Sequence, residues 1–356
     1  MTGDAARTTC LAAAAGPAAA LPATGRPPTM TDVARLAGVS HQTVSRVLHD
    51  HPRVKDSTRL RVLAAIEQLR YRPNLAARAL VTGRTQTLGV VTLDTTFFGP
   101  VATLYGVERA ARARGYVVSV ASLRSIDRAS VDEAVHRLVA QSVAGIVLIA
   151  PLAWDAAALT ALGVDVPIVV VEGDPDAPLP VVTVDQRTGA RLATQHLLGL
   201  GHRTVFHVAG PGEWLEARAR SSGWRSALEA AGAEAPPPLA GDWTARSGYE
   251  AGKALARMGE ATAVFAGNDH MALGLLRALY EHGRRVPDEV SVVGFDDSAE
   301  SAYLNPPLTT VRQDFDEVGQ RSLDLLVHQV ESGARDAVRI VIPPFLVVRA
   351  STARRP

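Results

Sequence analysis

His41, Gln42 and Arg46 bring together, within six residues, three side-chain types that can read a base pair. A glutamine amide can meet adenine with two hydrogen bonds, an arginine fork can meet guanine in the same way, and histidine donates or accepts at either. Thr43 and Ser45, interleaved with them, offer hydroxyls suited to phosphate oxygens. The plain alternative for the first three is a solvated helix face. A second group of polar side chains follows short apolar runs: Asp94 to Phe98 after Leu93, Glu172 after Val171, Asn268 and Asp269 after Gly267, Asp296 and Asp297 after Phe295. Carboxylates and an amide beside an aromatic face such as Phe98 suit a hydroxyl-rich ligand. Structural duties compete here too: Asn268 as a turn residue, Asp297 as a helix cap, Glu172 as a solvated member of the turn through Gly173-Asp174-Pro175.

The first group needs a short, well-started helix. Thr29 and Asp32 have the spacing of a capping box, which predicts a helix start there, with Val33, Leu36 and Ala37 on one face. Gly38 permits a sharp turn, Ser40 is a second N-cap, and Val44, Val47 and Leu48 form the buried stripe of a second helix. Two such helices make a helix-turn-helix, whose second helix presents its N-terminal residues to the major groove. Val54 to Leu69 supplies a third helix, with Leu60, Leu63, Ile66 and Leu69 inward. Tyr71-Arg72-Pro73-Asn74 breaks it. Asn74 to Leu80 is then one weak helix, too short to be stable alone, which orders only against a partner. Leu80 is placed to wedge between minor-groove base steps, or else to pack on the rest of the chain.

The second group needs strands. Leu88 to Leu93, Val117 to Ala121, Gly145 to Ala150, Ile168 to Val171, Thr204 to Ala209, Ala263 to Ala266 and Val290 to Phe295 alternate with amphipathic segments such as Val101 to Arg114 and Val131 to Gln141. That alternation predicts βαβ units and parallel sheets, with ligands gathered beyond the carboxyl ends of the strands.

Composition narrows the function classes. The chain has 356 residues, enough for two or three domains. From Arg26 to Arg84 there are 11 Lys/Arg against 4 Asp/Glu, net +7, whereas from residue 86 onward 25 face 31, net −6. A basic head on a mildly acidic body points to a polyanion for the head alone. Cys10 is the sole cysteine, so no internal disulfide forms. Residues 1–27, rich in Ala, Pro, Gly and Thr, are expected to be a disordered tail. A signal peptide is the sharper reading, but Pro17 and Asp4 oppose it, and a working start near Met30 is a further alternative. No stretch is apolar enough to span a membrane. His196, His202 and His207 lack metal-ligand spacing, and no cofactor is expected. The common catalytic motifs are missing; Gly210-Pro211-Gly212 lacks the third glycine of a dinucleotide fingerprint, so the chain is read as not an enzyme.

The run Thr31-Asp32-Val33-Ala34 through Ala37-Gly38-Val39-Ser40-His41-Gln42-Thr43-Val44-Ser45-Arg46-Val47-Leu48, then Tyr71-Arg72-Pro73-Asn74, closely resembles the head of the lactose-repressor (LacI/GalR) family. The resemblance continues to about residue 350, through Gly199-Leu200-Gly201-His202, Gly241-Asp242-Trp243, Asn268 to Gly274, Ser291 to Asp297 and Pro306 to Val311. It implies a helix-turn-helix head on a two-lobed, periplasmic-binding-protein-like α/β core. The expected organisation is a DNA-binding domain over 28–73, a hinge helix and linker over 74–85, and a core over 86–350. Lobe 1 would take about 86–184 and 314–342, and lobe 2 about 185–313 and 343–350, with crossings near 184, 313 and 343.

By the same resemblance, His41, Gln42 and Arg46 would read operator DNA and Leu80 would intercalate at its centre. His41 replaces the Tyr of the lactose-responsive member, so operator preference should differ. Glu172, Arg220, Trp243, Asn268 and Asp296 would contact the effector: Trp243 stacked on a pyranose, Arg220 forked onto hydroxyls, Asp296 and Asn268 fixing them. Glu172 stands where that member has Asp, which leaves the sugar open. The implied protein is a cytoplasmic homodimeric repressor of carbohydrate-utilisation genes, released from its operator by a mono- or disaccharide. The rival reading is a secreted or periplasmic-type sugar-binding protein without DNA function, which the segment 29–82 opposes.

Overall fold

The computed structural model describes residues 26–48, 50–72, 85–93, 97–123, 125, 127–149, 163–173 and 179–355. The expected hinge segment, with Asn74 and Leu80, lies outside these residues, as do Asp94 and nearly all of the tail. The chain divides into two compact units, 1–83 and 84–356.

The first unit is helical: α1 (Met30–Ala37), α2 (His41–Leu48) and α3 (Asp56–Leu69). The capping box forms, with the Thr29 hydroxyl accepting from the Asp32 amide and the Asp32 carboxylate accepting from the Thr29 amide at 2.9 Å. Gly38 turns the chain at φ 63°, and Ser40 Oγ accepts from the Thr43 amide at 3.1 Å, capping α2. Val33, Ala34, Ala37, Val44, Val47, Val62, Ala65 and Tyr71 make the core. Leu36, Leu60 and Leu63, expected inward, are exposed instead, at 44%, 68% and 48%. The inward positions on α1 and α3 carry small residues, Ala34, Ala37 and Ala65 beside Val33 and Val62, which lets the short helices approach closely.

The second unit holds two sheets. The first, in spatial order β11-β5-β4-β3-β1-β2, comprises β1 (Thr87–Leu93), β2 (Val117–Leu123), β3 (Ile146–Ile149), β4 (Ile168–Val171), β5 (Val181–Val184) and β11 (Arg339–Ile342). The second, ordered β12-β10-β9-β8-β6-β7, comprises β6 (Phe206–Ala209), β7 (Leu239–Ala240), β8 (Ala263–Ala266), β9 (Ser291–Asp296), β10 (Thr309–Arg312) and β12 (Phe345–Val347). The helices are α4 (Phe98–Ala113), α5 (Arg128–Ala140), α6 (Gln186–Gly199), α7 (Leu215–Ala230), α8 (Ala245–Ala256), α9 (Asp269–Glu281) and α10 (Phe315–Ser332). Ladders are parallel except β10 with β12, which runs antiparallel.

The apolar runs read from the sequence coincide with β1, β2, β3, β4, β6, β8 and β9. Of these, β1, β3, β4, β8 and β9 are buried on both faces, which is why they read as continuous hydrophobic stretches, whereas β2 is an edge strand with exposed positions. The short strands β5, β7, β10, β11 and β12 are not among the predicted runs: they have two to four residues, and β11 and β12 mix exposed with half-buried and buried positions. The chain passes from the first sheet to the second after β5, back after β10, and over again after β11. Each sheet reverses its winding beside its first strand, at β1/β3 and β6/β8, and α/β folds take ligands beyond strand ends at such switch points.

Candidate functional site

In the head, α2 turns Val44 and Val47 into the core and leaves His41, Gln42 and Arg46 in solvent. The Thr43 hydroxyl lies 2.9 Å from Ser40 Oγ, so part of its hydrogen-bonding capacity is already engaged at the cap. The three base-reading candidates thus share the exposed side of one short, capped helix.

In the core, a cavity of about 40 Å³ opens at the carboxyl ends of the strands. Phe97 and Phe98 wall it from the segment after β1; Trp214, Glu216 and Arg220 from the start of α7 after β6; Trp243 ahead of α8; Asn268 and His270 after β8; and Asp296 at the end of β9. Drug-sized ligand pockets run to roughly 300–1,000 Å³. Admitting a sugar therefore requires the walls to part.

Arg220 is the hub. It is buried, donates from Nε to Gln186 Oε1 at 2.9 Å and from Nη1 to the Gly267 carbonyl at 2.5 Å, and sits 3.5 Å from Asp296 Oδ1. Its guanidinium carbon lies 3.8 Å from the Phe295 ring centre and 5.2 Å from that of Trp243. Gln186 donates to Gln313 Oε1 at 2.7 Å, and Gln313 donates to Asp296 Oδ1 at 2.8 Å. Both glutamines stand where the chain leaves one sheet for the other, Gln186 just after β5 and Gln313 just after β10. Cavity and crossings thereby share one buried hydrogen-bond network.

The expected residues divide. Phe98, Arg220, Trp243, Asn268 and Asp296 come together around the cavity. Glu172 is buried but stands behind it: Oε1 accepts from the Val184 amide at 2.9 Å, and Oε2 from the Thr183 hydroxyl at 2.9 Å and Gln186 at 3.3 Å. Glu172 therefore reaches Arg220 through Gln186, and it is not the solvated turn residue of the alternative reading. Asn268 does two things at once, capping α9 through the Met271 amide at 2.8 Å and holding the Trp243 carbonyl at 3.0 Å. Asp297 is no helix cap, since its buried carboxylate pairs with Arg312 and with Arg349, the latter at 2.6 Å. Asp94 lies outside the described residues.

Backbone strain marks the same place. Glu172, Trp243, Asp296 and Asp297 adopt positive φ (56°, 71°, 110° and 55°) without being glycine. Each such residue costs of order 1–3 kcal/mol and persists where surroundings over-determine it, commonly at ligand sites. Trp243 shows how: its ring lies on Gly210, where a Cβ would stand 2.2 Å from the indole, and meets Trp214 edge-on at 5.8 Å. Sequence reading passed over Gln186, Trp214, Glu216, His270 and Gln313. Glu216 and Arg220, four apart on one helix face, were the available signal.

The site is rich in desolvated carboxyls. Burial raises Glu172, raises Glu216 well above the usual range with Glu172 nearby as a second cause, and lifts Asp296 to about 6. Asp269, which accepts from the Ser298 amide and the Ser301 and Thr310 hydroxyls, is lifted by burial and by Asp296 to about 7. His207, stacked on Phe265 at 4.8 Å, is pushed down by burial to about 4. A carboxyl raised on folding keeps its proton where the unfolded chain has lost it, so its ionisation costs stability as pH rises. Lowered histidines act oppositely, but chiefly below about pH 6.5. Between pH 6.5 and 8 the unfolded histidines lose the last of their protons, while Asp269, held near 7, and Glu216, raised well above the usual range, go on ionising and outweigh them. The urea midpoint of the core transition is expected to fall over that interval; a rise would mean that the ionised carboxylates are better held in the folded state.

Comparison with known proteins places the fold. Residues 29–74 match the model of bacterial regulatory proteins of the lacI family, and residues 194–352 match a periplasmic binding protein-like domain. The lactose operon repressor of Escherichia coli (strain K12) is 36% identical over 329 residues, covering 92% of this chain and 91% of that protein. The lac repressor dimer bound to operator and the anti-inducer ONPF superposes with a TM-score of 0.84 at 35% identity, over 92% of this chain and 100% of that one. The complex of the transcriptional regulator CelR with cellobiose gives 0.68 at 35% identity, over 91% and 99%. No helix among the described residues is long and apolar enough to cross a membrane.

Proposed function

The chain belongs to the lacI family of bacterial regulatory proteins, and from that premise we propose that it is a cytoplasmic homodimeric repressor of carbohydrate-utilisation genes, released from its operator by a sugar, and not an enzyme. The observation that carries the DNA reading is the capped helix α2, which buries Val44 and Val47 while holding His41, Gln42 and Arg46 in solvent. Thr43, Ser45 and Asn74 take phosphates and Leu80 the central minor groove. In the core, Asp94, Phe98, Arg220, Trp243, Asn268 and Asp296 receive the sugar, with Glu172 acting through Gln186. The lobes divide at 184, 313 and 343, where Gln186 and Gln313 join the crossings to the cavity. A sugar that widens the cavity rearranges this network, and DNA and effector then oppose each other by a reciprocal coupling, typically about 1–3 kcal/mol. Leu273, Tyr280 and Tyr303 leave exposed apolar surface on the second lobe, which suits a subunit contact.

Replacing Arg46 by Ala is expected to cost about 1–3 kcal/mol on the cognate operator and to relax base choice there. Anisotropy titrations against operator and random duplexes decide it. An equal loss on both would mean that Arg46 touches only phosphate.

A further inference from the structure

We infer that the effector is an amino sugar, a polyhydroxyl compound whose ammonium group is received by Glu216. The inference rests on the reading of the cavity as the effector site and narrows its ligand class.

Two unsatisfied groups and a charge imbalance point to this chemistry. Glu216 Oε2 is sealed from solvent and has no hydrogen-bond partner among the described residues, although the residue as a whole is only half-buried. Trp243 is only 6% exposed, and its Nε1 is likewise buried without a partner. Both residues line the cavity. An indole N–H only donates and an ionised carboxylate only accepts, so the ligand that satisfies Trp243 and draws the proton from Glu216 presents an oxygen to the one and a charged donor to the other. Buried polar groups without partners call for such an explanation.

The charge imbalance selects the donor. Glu172, Glu216 and Asp296 are all desolvated and all feel Arg220 as the neighbouring cation. One guanidinium thus serves three carboxyls, and burial without a second cation among the described residues holds them toward their protonated forms. Its Nε and Nη1 are already spent on Gln186, Gly267 and the 3.5 Å approach to Asp296. A neutral hydroxyl gives Glu216 a hydrogen bond but leaves its ionisation as costly as before. An ammonium gives the bond and the counter-charge together, in a desolvated site where charge-assisted hydrogen bonds are the strong ones. Trp214 and Trp243, edge to face at 5.8 Å, add ring surface for the sugar's C–H face and for the cation.

The test uses the full chain and two readouts, tryptophan fluorescence and thermal melting, at a pH where the amine is charged. The probes are glucosamine and galactosamine, their N-acetyl derivatives, and glucose and galactose. At least one amino sugar should bind about tenfold or more tightly than both its neutral parent and its N-acetyl derivative, the ratio that one charge-assisted bond provides. Glu216→Gln should erase that preference. The free variant should melt no lower than the parent protein, because the exchange removes a carboxyl whose Oε2 is buried without a partner and whose ionisation burial opposes. A neutral sugar binding as tightly as its amino form would overturn the inference and leave the carbohydrate reading intact: Glu216 would then be a protonated donor. If no sugar of any kind moves either readout, the carbohydrate reading falls with it.

Discussion

Replacing Arg220 by Ala is expected to lower the unfolding free energy of the core by about 3–5 kcal/mol, the range for removing one partner from a buried ion pair, and to abolish the response to effector. The cost has a definite origin. Arg220 supplies the positive charge facing Glu172, Glu216 and Asp296, the donor to Gln186 and Gly267, and a cation against Phe295. Without it those carboxyls escape part of the penalty by keeping their protons. The loss should therefore grow as pH rises, being larger at pH 8 than at pH 6, since ionisation is then forced on groups whose folded pKa has risen further. Urea titrations at the two pH values, followed by tryptophan fluorescence, measure this directly. Operator binding by the head should persist in the variant. A loss under about 1 kcal/mol, or an unaltered response to effector, would mean that Arg220 is not the hub that its contacts describe.

Operator affinity should collapse with salt. A dimer presenting two heads, each net +7 between Arg26 and Arg84, is expected to make about 6–10 phosphate contacts. Counterion release then weakens binding by about 10³–10⁵-fold between 50 and 200 mM salt. Sugar binding in the core should change little over the same range, because the cavity charges are buried and poorly screened. Anisotropy titrations at several salt concentrations give the slope for DNA, and fluorescence titrations give it for the sugar. A slope corresponding to fewer than about two phosphates would contradict a basic head that grips the backbone.

Much of this architecture was legible in the chain itself, and the failures are informative. Thr29, Asp32, Gly38 and Ser40 act through neighbours no more than four residues away, so their spacing announces the helices that they start and stop. The central strands declare themselves because they are buried on both faces and need continuous apolar side chains. The third helix falls where the sequence places it, and Ile66 and Leu69 pack against the head's core as read, but Leu60 and Leu63 lie outward because α1 and α2 accept Val62 and Ala65 at close range. Hydrophobicity marks a helix, whereas the packing partner decides which stripe is buried.

What the sequence alone determined, therefore, was a capped helical head, two mostly parallel sheets, a basic front on an acidic body, and polar residues waiting at strand ends. Only the tertiary structure decided that Glu172 stands behind the cavity, that Gln186 and Gln313 tie Arg220 to the crossings, and that Glu216 Oε2 is buried without a hydrogen-bond partner among the described residues. Caps, turns and strand cores depend on interactions short in sequence or on burial that any apolar neighbour can provide. The cavity joins residues as far apart as Phe97 and Asp296, and their distances, desolvation and charge exist only once both sheets have closed around them.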